Sequence, residues 1–219
     1  MNEVISIEEK YFDRINAIWE ENKGLPYTER GFAVPRELKK HSILFIGINP
    51  SYKEGNTSSE EEYNPFYELY KPEKIDPYFK KFIEIKDYCK HEWSHWDLLY
   101  IRETSQNNIL NNCKDANFSN FINHQLQLSR EIITCIEPKI IVVCNSKARD
   151  YLMAPSINPY AFDMFPDEEI GTYRIHDSST LNNVPIFFSS MLTGQRALDR
   201  GSYQRLQWHI KWLLEKGTL

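Results

Sequence analysis

The stretch SILFIGINPS, from Ser42 to Ser51, decides the fold of this chain. Its apolar run 43–46 is short, contains β-branched residues and does not alternate with polar ones, which is typical of a strand covered on both faces. Gly47 allows close approach of another backbone or a ligand, and Pro50 fixes the following turn. Asn49 lies at the carboxyl end of the strand, where open α/β sheets bind ligands. By themselves, residues 49–51 are consistent with a simple turn and with a binding site.

After this first strand, predicted strands and helices alternate along the rest of the chain. Strands are predicted at 95–102, 139–144 and 184–188, and helices at 3–23, 66–70, 78–88, 118–136 and 203–215, with a short helix after Asn145. Alternation predicts parallel crossovers, so we expect an α/β fold: a three-layer α/β/α sandwich around a short four-stranded parallel sheet. The polar turns after the first, second and fourth strands then meet at one edge, which favours a site over a simple turn.

The length of 219 residues is enough for one domain with a substantial core. We predict a single domain over 1–219 with an N-terminal helical extension at 1–40. No apolar run approaches the roughly 20 residues that span a bilayer, and the N-terminus lacks the pattern of a signal peptide. A cytoplasmic monomer without membrane contact is the expectation.

The cysteines and histidines lack metal-ligand spacing. Cys89, Cys113, Cys135 and Cys144 contain no Cys-x-x-Cys pair, which indicates reduced thiols rather than zinc or iron–sulfur ligands. The histidine pair at 91 and 95 has no evident third ligand. We therefore expect no metal and no cofactor. The net charge of −5 does not indicate general affinity for nucleic acid, but it is compatible with a local basic stripe.

Two motifs in this order resemble the uracil-DNA glycosylase superfamily. The segment GINPS at 47–51 is similar to the first motif of that superfamily, especially to its mismatch-specific uracil/thymine branch. The segment FSSMLT at 188–193 is similar, in register, to the second motif, which usually reads His-Pro-Ser-Pro-Leu-Ser. The helix–Pro–strand–turn–helix pattern over 131–151 resembles the centre of the fold. The resemblance covers most of residues 41–212.

The resemblance implies a role for each residue of the first motif. Asn49 would position the water that attacks the glycosidic bond, since an amide oxygen can hold a water but is not a strong base. Gly47, Ile48 and Pro50 would line the base pocket. Ser51 replaces a tyrosine that excludes 5-methyl groups in strict uracil enzymes, which leaves space for larger bases.

An aromatic side chain is also expected to stack on the extruded base. Phe66 is the candidate, and the alternative is that Phe66 anchors a helix to the core. The base edge is read near the end of the second strand by an asparagine in the family. No asparagine occurs between 97 and 102, so Tyr100 or Arg102 would have to form the hydrogen bonds to the base edge.

The second motif implies contacts to DNA. Leu192 falls where the family inserts a leucine wedge into the base stack, and small hydroxyls with adjacent amides grip phosphates. The implied DNA-binding residues are Ser189, Ser190, Leu192, Thr193, Gly194 and Arg196. Phe188 occupies the place of the histidine that stabilises the departing base in the family. The alternative for Arg196 and Arg200 is that they are solvated cations at the start of a helix.

These observations lead to a function hypothesis with two rivals. The leading one is a DNA glycosylase, a hydrolase that removes a deaminated or modified base such as uracil after it is flipped out of single- or double-stranded DNA in base-excision repair. The first rival is a non-catalytic nucleic-acid or nucleobase-binding protein on the same fold. The second is a hydrolase of free nucleosides or nucleotides.

Overall fold

The computed structural model describes residues 3–52, 63–71, 73, 75–176, 179–194 and 196–216. The strands are β1 (Val4–Ser6), β2 (Val34–Pro35), β3 (Glu37–Lys39), β4 (Ile43–Gly47), β5 (Phe66–Tyr67), β6 (Trp93–Asp97), β7 (Ile140–Val143), β8 (Met164–Asp167), β9 (Thr172–Ile175) and β10 (Pro185–Phe188). The helices are α1 (Ile7–Glu20), α2 (Lys80–Cys89), α3 (Gln106–Asn112), α4 (Ala116–Ile136), α5 (Ser146–Met153) and α6 (Arg200–Lys216).

The four predicted strands form the parallel part of the central sheet. Their order is β6-β4-β7-β10, and the register pairs Phe45 of β4 with His95 of β6 and Val142 of β7. All residues of β4 and β7 are buried, which explains their continuous apolar runs. The prediction of buried parallel strands is thus confirmed, although the second strand lies at 93–97 rather than 95–102.

The prediction of a four-stranded sheet is wrong, because the sheet has six strands. The segment 154–183, for which no strand was predicted, supplies the antiparallel hairpin β8–β9, which adds to β10 at the edge of the sheet. The hairpin turn uses Gly171 at a φ of +66°, and Arg174 Nε donates to Asp167 Oδ2 at 2.6 Å. This strand pair is exposed on much of its surface, so it lacks the apolar run that marks the buried strands.

Helices cover both faces of this sheet, so the architecture is compatible with an α/β sandwich. On one face, Phe45 packs edge-on against Phe82 of α2 with centroids 4.8 Å apart, and Phe187 packs against His209 of α6. On the other face, the Trp96 indole donates to Ser129 Oγ of α4 at 3.0 Å. The predicted amphipathic helices 3–23, 118–136 and 203–215 correspond to α1, α4 and α6.

The N-terminal segment is more than a helix. The α1 helix packs on α4, while β1 pairs with β3 and β2 pairs with β5 in two small sheets. The predicted helix at 66–70 is therefore wrong, because Phe66 and Tyr67 pair in parallel with Val34 and Pro35. None of the described helices combines the length and apolar character needed to cross a bilayer.

Candidate functional site

The candidate site lies where the chain leaves β4 and β6 at their carboxyl ends. Beyond the sheet, 47–50 and 98–103 continue side by side through backbone hydrogen bonds. The Leu99 amide donates to the Ile48 carbonyl at 2.9 Å, and the Glu103 amide donates to the Pro50 carbonyl at 3.0 Å. The first motif is thus held along one wall by the segment that follows the second strand, as the topology of parallel strands requires.

The Asn49 side chain is held by its amide nitrogen. Nδ2 donates to the carbonyl oxygens of Glu103 at 2.6 Å, Pro50 at 2.9 Å and Ile101 at 3.4 Å. Among the described residues, no hydrogen bond to Asn49 Oδ1 is found, and the side chain is half-buried. Because the nitrogen fixes the amide plane, the oxygen is left as an oriented acceptor for a water or a ligand.

A buried carboxyl–imidazole pair lies beside this turn. Asp97 ends β6 as the register partner of Gly47, and its Oδ1 is 3.8 Å from Nε2 of His95. Asp97 is 8% exposed and His95 is 2% exposed. Tyr67 Oη lies 3.4 Å from His95 Nδ1, while His95 Nε2 has no hydrogen-bond partner among the described residues.

The surroundings of this pair disfavour charge. The His95 ring contacts the rings of Phe79 and Phe82 at centroid distances of 5.0 and 5.7 Å. Burial raises the pKa of Asp97 to about 7 and lowers the pKa of His95 to about 3. Around neutral pH, His95 is uncharged and Asp97 exchanges its proton readily, which suits a group that hydrogen-bonds a ligand.

The sequence reasoning missed Asp97 and His95. Their signal is a carboxylate that ends the short strand WSHWD, with a histidine two residues earlier on the same face. The candidates proposed instead for that strand have different surroundings. Tyr100 is completely buried, and its hydroxyl donates to the Gln125 carbonyl at 3.2 Å in the core. In this conformation Tyr100 does not face a ligand.

Arg102 does lie at the turn, as part of a stacked group. The guanidinium carbons of Arg30 and Arg102 lie 4.8 and 5.1 Å from the centroid of the Tyr52 ring, directly after Ser51. Arg30 also pairs with Glu103 at 2.9 Å. No carboxylate partner of Arg102 is found in the described part of the chain. The local positive charge that the overall composition lacks is therefore present beside the first motif.

Phe66 belongs to a different set of contacts. Its ring packs against Phe12 of α1, with centroids 5.6 Å apart, and beneath the guanidinium of Arg36 at 5.1 Å. These contacts connect β5 to the N-terminal segment, as the core-anchor alternative expects. Most of the polar loop that precedes Phe66, at 53–62, lies outside the described residues.

The second motif forms a closed loop after β10. The Leu198 amide donates to the Met191 carbonyl at 2.9 Å, and Gly194 adopts a φ of +86° within the loop. Leu192 is 4% exposed and packs in the core, so it does not project as a wedge in this conformation. Thr193 Oγ1 is buried with no described hydrogen-bond partner.

The ends of this loop differ in exposure. Ser190 and Arg196 are exposed, and Ser189 is half-buried with its hydroxyl donating to the Ser190 carbonyl. The Phe188 ring lies 5.5 Å from that of Tyr173 and below the Arg149 guanidinium at 5.3 Å. Phe188 succeeds Phe187, which points to the α2–α6 face, so Phe188 points to the opposite face from Gly47 and Asp97.

Among the described residues, no cluster of three or more His, Cys, Asp or Glu side chains is arranged to hold a metal ion. Comparison of the chain with protein-family models, with curated proteins and with solved structures found no match.

Proposed function

We propose that the protein is a DNA base glycosylase with a uracil-DNA glycosylase-like fold, which hydrolyses the N-glycosidic bond of a deaminated or modified base. The observation that carries the proposal is Asn49, whose amide nitrogen is held by three backbone carbonyls while its oxygen has no described partner. Its position at the carboxyl end of a central strand is where such folds bind ligands.

The chemistry needs an oriented water and support for the departing base. Glycosidic cleavage passes through a cation-like state, so positioning the water matters more than a strong base. Asn49 Oδ1 accepts a hydrogen bond from that water. Asp97, protonated below about pH 7, donates to a carbonyl oxygen of the base beside Gly47, and Arg102 attracts the phosphate backbone.

The loop 189–196 is the proposed DNA contact. Ser189, Ser190, Thr193, Gly194 and Arg196 contact phosphates through hydroxyls, amides and the exposed guanidinium. Since Leu192 is packed in the core, its insertion into a duplex requires this loop to open. A base in single-stranded DNA requires no wedge, which makes a single strand the favoured substrate.

Asn49→Ala is expected to reduce base excision about 100-fold or more, because the water loses its oriented acceptor. The assay incubates the protein with single- and double-stranded oligonucleotides that carry uracil, a thymine mismatch, hypoxanthine, xanthine or 5-hydroxymethyluracil. Alkali then cleaves the abasic sites. Asn120→Ala, the same change at an exposed position of α4, is the matched control and retains full activity. Absence of strand scission on all substrates overturns the proposal.

Asn49→Asp is expected to lower both stability and activity, although a carboxylate occupies this position in the faster branches of the family. The new oxygen would face the carbonyls of Pro50, Ile101 and Glu103, which accept hydrogen bonds and cannot donate them. A loss of about 1 to 3 kcal/mol in the free energy of unfolding follows from three unmatched acceptors. Urea denaturation and the alkali assay measure the two effects. A faster and equally stable variant would contradict the described role of Nδ2.

A second candidate is a nucleic-acid or nucleobase-binding protein without catalysis. Two observations favour it: Phe188 offers no hydrogen bond to a departing base, and its ring is engaged by Tyr173 and Arg149. Measurable binding of the same oligonucleotides without scission, and unchanged by Asn49→Ala, would select this candidate.

A further inference from the structure

A cavity of about 640 Å³ lies beside the segment that holds Asn49. Ile101 and Glu103 line it, and their carbonyl oxygens also accept the hydrogen bonds from Asn49 Nδ2. The cavity and the candidate site therefore share the segment 101–103. Its volume is within the range of about 300 to 1,000 Å³ that small-molecule sites occupy.

Two arginine side chains line the cavity. Arg30 and Arg102 line it and stack on Tyr52, which follows the first motif. Glu103 neutralises Arg30 through their ion pair, while the one hydrogen bond found for the Arg102 side chain among the described residues goes to the Arg30 carbonyl, at 3.4 Å. The guanidinium of Arg102 thus keeps most of its donors for an anionic group, and phosphate fits its geometry.

Two aromatic side chains also line the cavity, and one of them carries a hydroxyl without a described hydrogen-bond partner. Tyr27 packs edge-on against Phe118 with centroids 4.7 Å apart, and both residues line the cavity. The Tyr27 hydroxyl is buried and has no hydrogen-bond partner among the described residues. Burial, followed by the negative charge of Asp115, raises the pKa of Tyr27, so the hydroxyl remains a donor. A buried hydroxyl without a partner costs free energy, and a ligand in the cavity recovers that cost only when the side chains around the hydroxyl move aside.

Three amide side chains are also part of the lining. Asn108, Asn111 and Asn112 line the cavity from α3, and none of their side chains forms a hydrogen bond with a described residue. Amides present donors and acceptors together, which is the pattern needed to hydrogen-bond the edge of a nucleobase. Asp115 is less available, because its Oδ1 accepts from the Phe118 amide as the N-cap of α4.

We propose that this cavity binds a nucleoside monophosphate unit, with the phosphate at Arg102 and the base between Tyr27 and the asparagines of α3. The inference rests on the proposed function and deepens it: the unit is the nucleotide adjacent to the base held at Asn49. Both positions share the wall formed by 101–103, so a continuous strand can occupy them together.

The test measures binding of dAMP to the purified protein by calorimetry, without any turnover. We expect a dissociation constant on the order of 0.1 mM, as suits a ligand of this size. Tyr27→Phe should weaken binding about fivefold by removing one hydrogen bond, and Arg102→Gln about tenfold by removing the charged donors. Deoxyadenosine and inorganic phosphate should each bind more weakly than dAMP.

The controls make the same types of substitution, Tyr to Phe and Arg to Gln, at surface positions that do not line the cavity. Tyr88→Phe and Arg205→Gln alter exposed side chains of α2 and α6 and should leave dAMP binding unchanged. Absence of dAMP binding, equal binding of inorganic phosphate, or affinity unaffected by both cavity variants overturns the proposal. The binding test does not depend on excision. If dAMP binds as expected but the alkali assay shows no strand scission, the cavity proposal stands and the glycosylase assignment fails.

Discussion

Gly47→Ala is expected to lower the free energy of unfolding by about 2 to 3 kcal/mol, which corresponds to a fall of roughly 5 to 10 °C in Tm. A Cβ atom at this position would lie 2.0 Å from Asp97 Oδ1 and 3.3 Å from His95 Nε2. The Asp97 side chain has little space to move, because it is 10% exposed and packed beside His95. The methyl group must therefore displace a buried strand end.

The cause of this loss can be isolated with Asp97→Ala. If the contact with the carboxyl is responsible, Asp97→Ala in the Gly47→Ala background should recover most of the lost stability. Gly201→Ala is the matched glycine control, since its Cβ would meet only the exposed Asp199 carboxylate, at 3.3 Å. Thermal melts of the four proteins measure these effects. An unchanged Tm for Gly47→Ala, or no recovery in the double variant, would contradict the described packing.

The buried pair should produce two opposite pH dependences that nearly cancel in the native protein. Burial raises the pKa of Asp97 from 3.8 to about 7, so the folded state binds more protons than the unfolded state between these values. The contribution of the protonated Asp97 carboxyl to stability is complete below pH 3.8 and is lost as the pH rises towards 7. Burial lowers the pKa of His95 from 6.5 to about 3, so its contribution is complete above 6.5 and is lost as the pH falls towards 3.

Single substitutions should expose each dependence. In Asp97→Asn, the histidine remains, and the free energy of unfolding should rise with pH between 4 and 6.5. In His95→Gln, the carboxyl remains, and the free energy of unfolding should fall with pH between 4 and 7. Each slope approaches about 1.4 kcal/mol per pH unit at most. The native protein should be nearly flat by comparison from pH 4 to 6.5.

Urea denaturation at half-unit pH intervals from 4.5 to 7.5 measures these slopes. The other carboxylates titrate equally in all variants. Differences in slope between the variants therefore report only the titration of Asp97 and His95. Asp97→Asn/His95→Gln is the control, and it should show neither slope. Parallel profiles for the native protein and both single variants would mean that the pair is not held uncharged in the fold.

The central layer of the fold was predictable because its signals are local. The runs at 43–46 and 140–143 are apolar throughout, which is typical of strands covered on both faces. The 21-residue helix α4 has an apolar stripe at helical spacing, and Asn145 caps α5 by accepting from the Lys147 and Ala148 amides. Such signals need only a few neighbouring residues.

Elements that depend on a distant partner were not predictable in the same way. Phe66 and Tyr67 become a strand because Val34 and Pro35 lie beside them, and β8 and β9 form because β10 offers an open edge. Leu192 lies in a motif that resembles a DNA contact, but its side chain is buried in the core. Packing decided these positions against local pattern.

The amino-acid sequence by itself determined the parallel centre of the sheet, the amphipathic helices that correspond to α1, α4 and α6, and the position of the GINPS turn at a strand end. Only the tertiary structure decided what surrounds that turn. It brought Asp97 and His95 beside Gly47 and held Asn49 by carbonyls from residues about fifty positions away. The physical reason is that periodicity reports which face of an element is buried, whereas hydrogen-bond partners and pKa values depend on side chains from other elements.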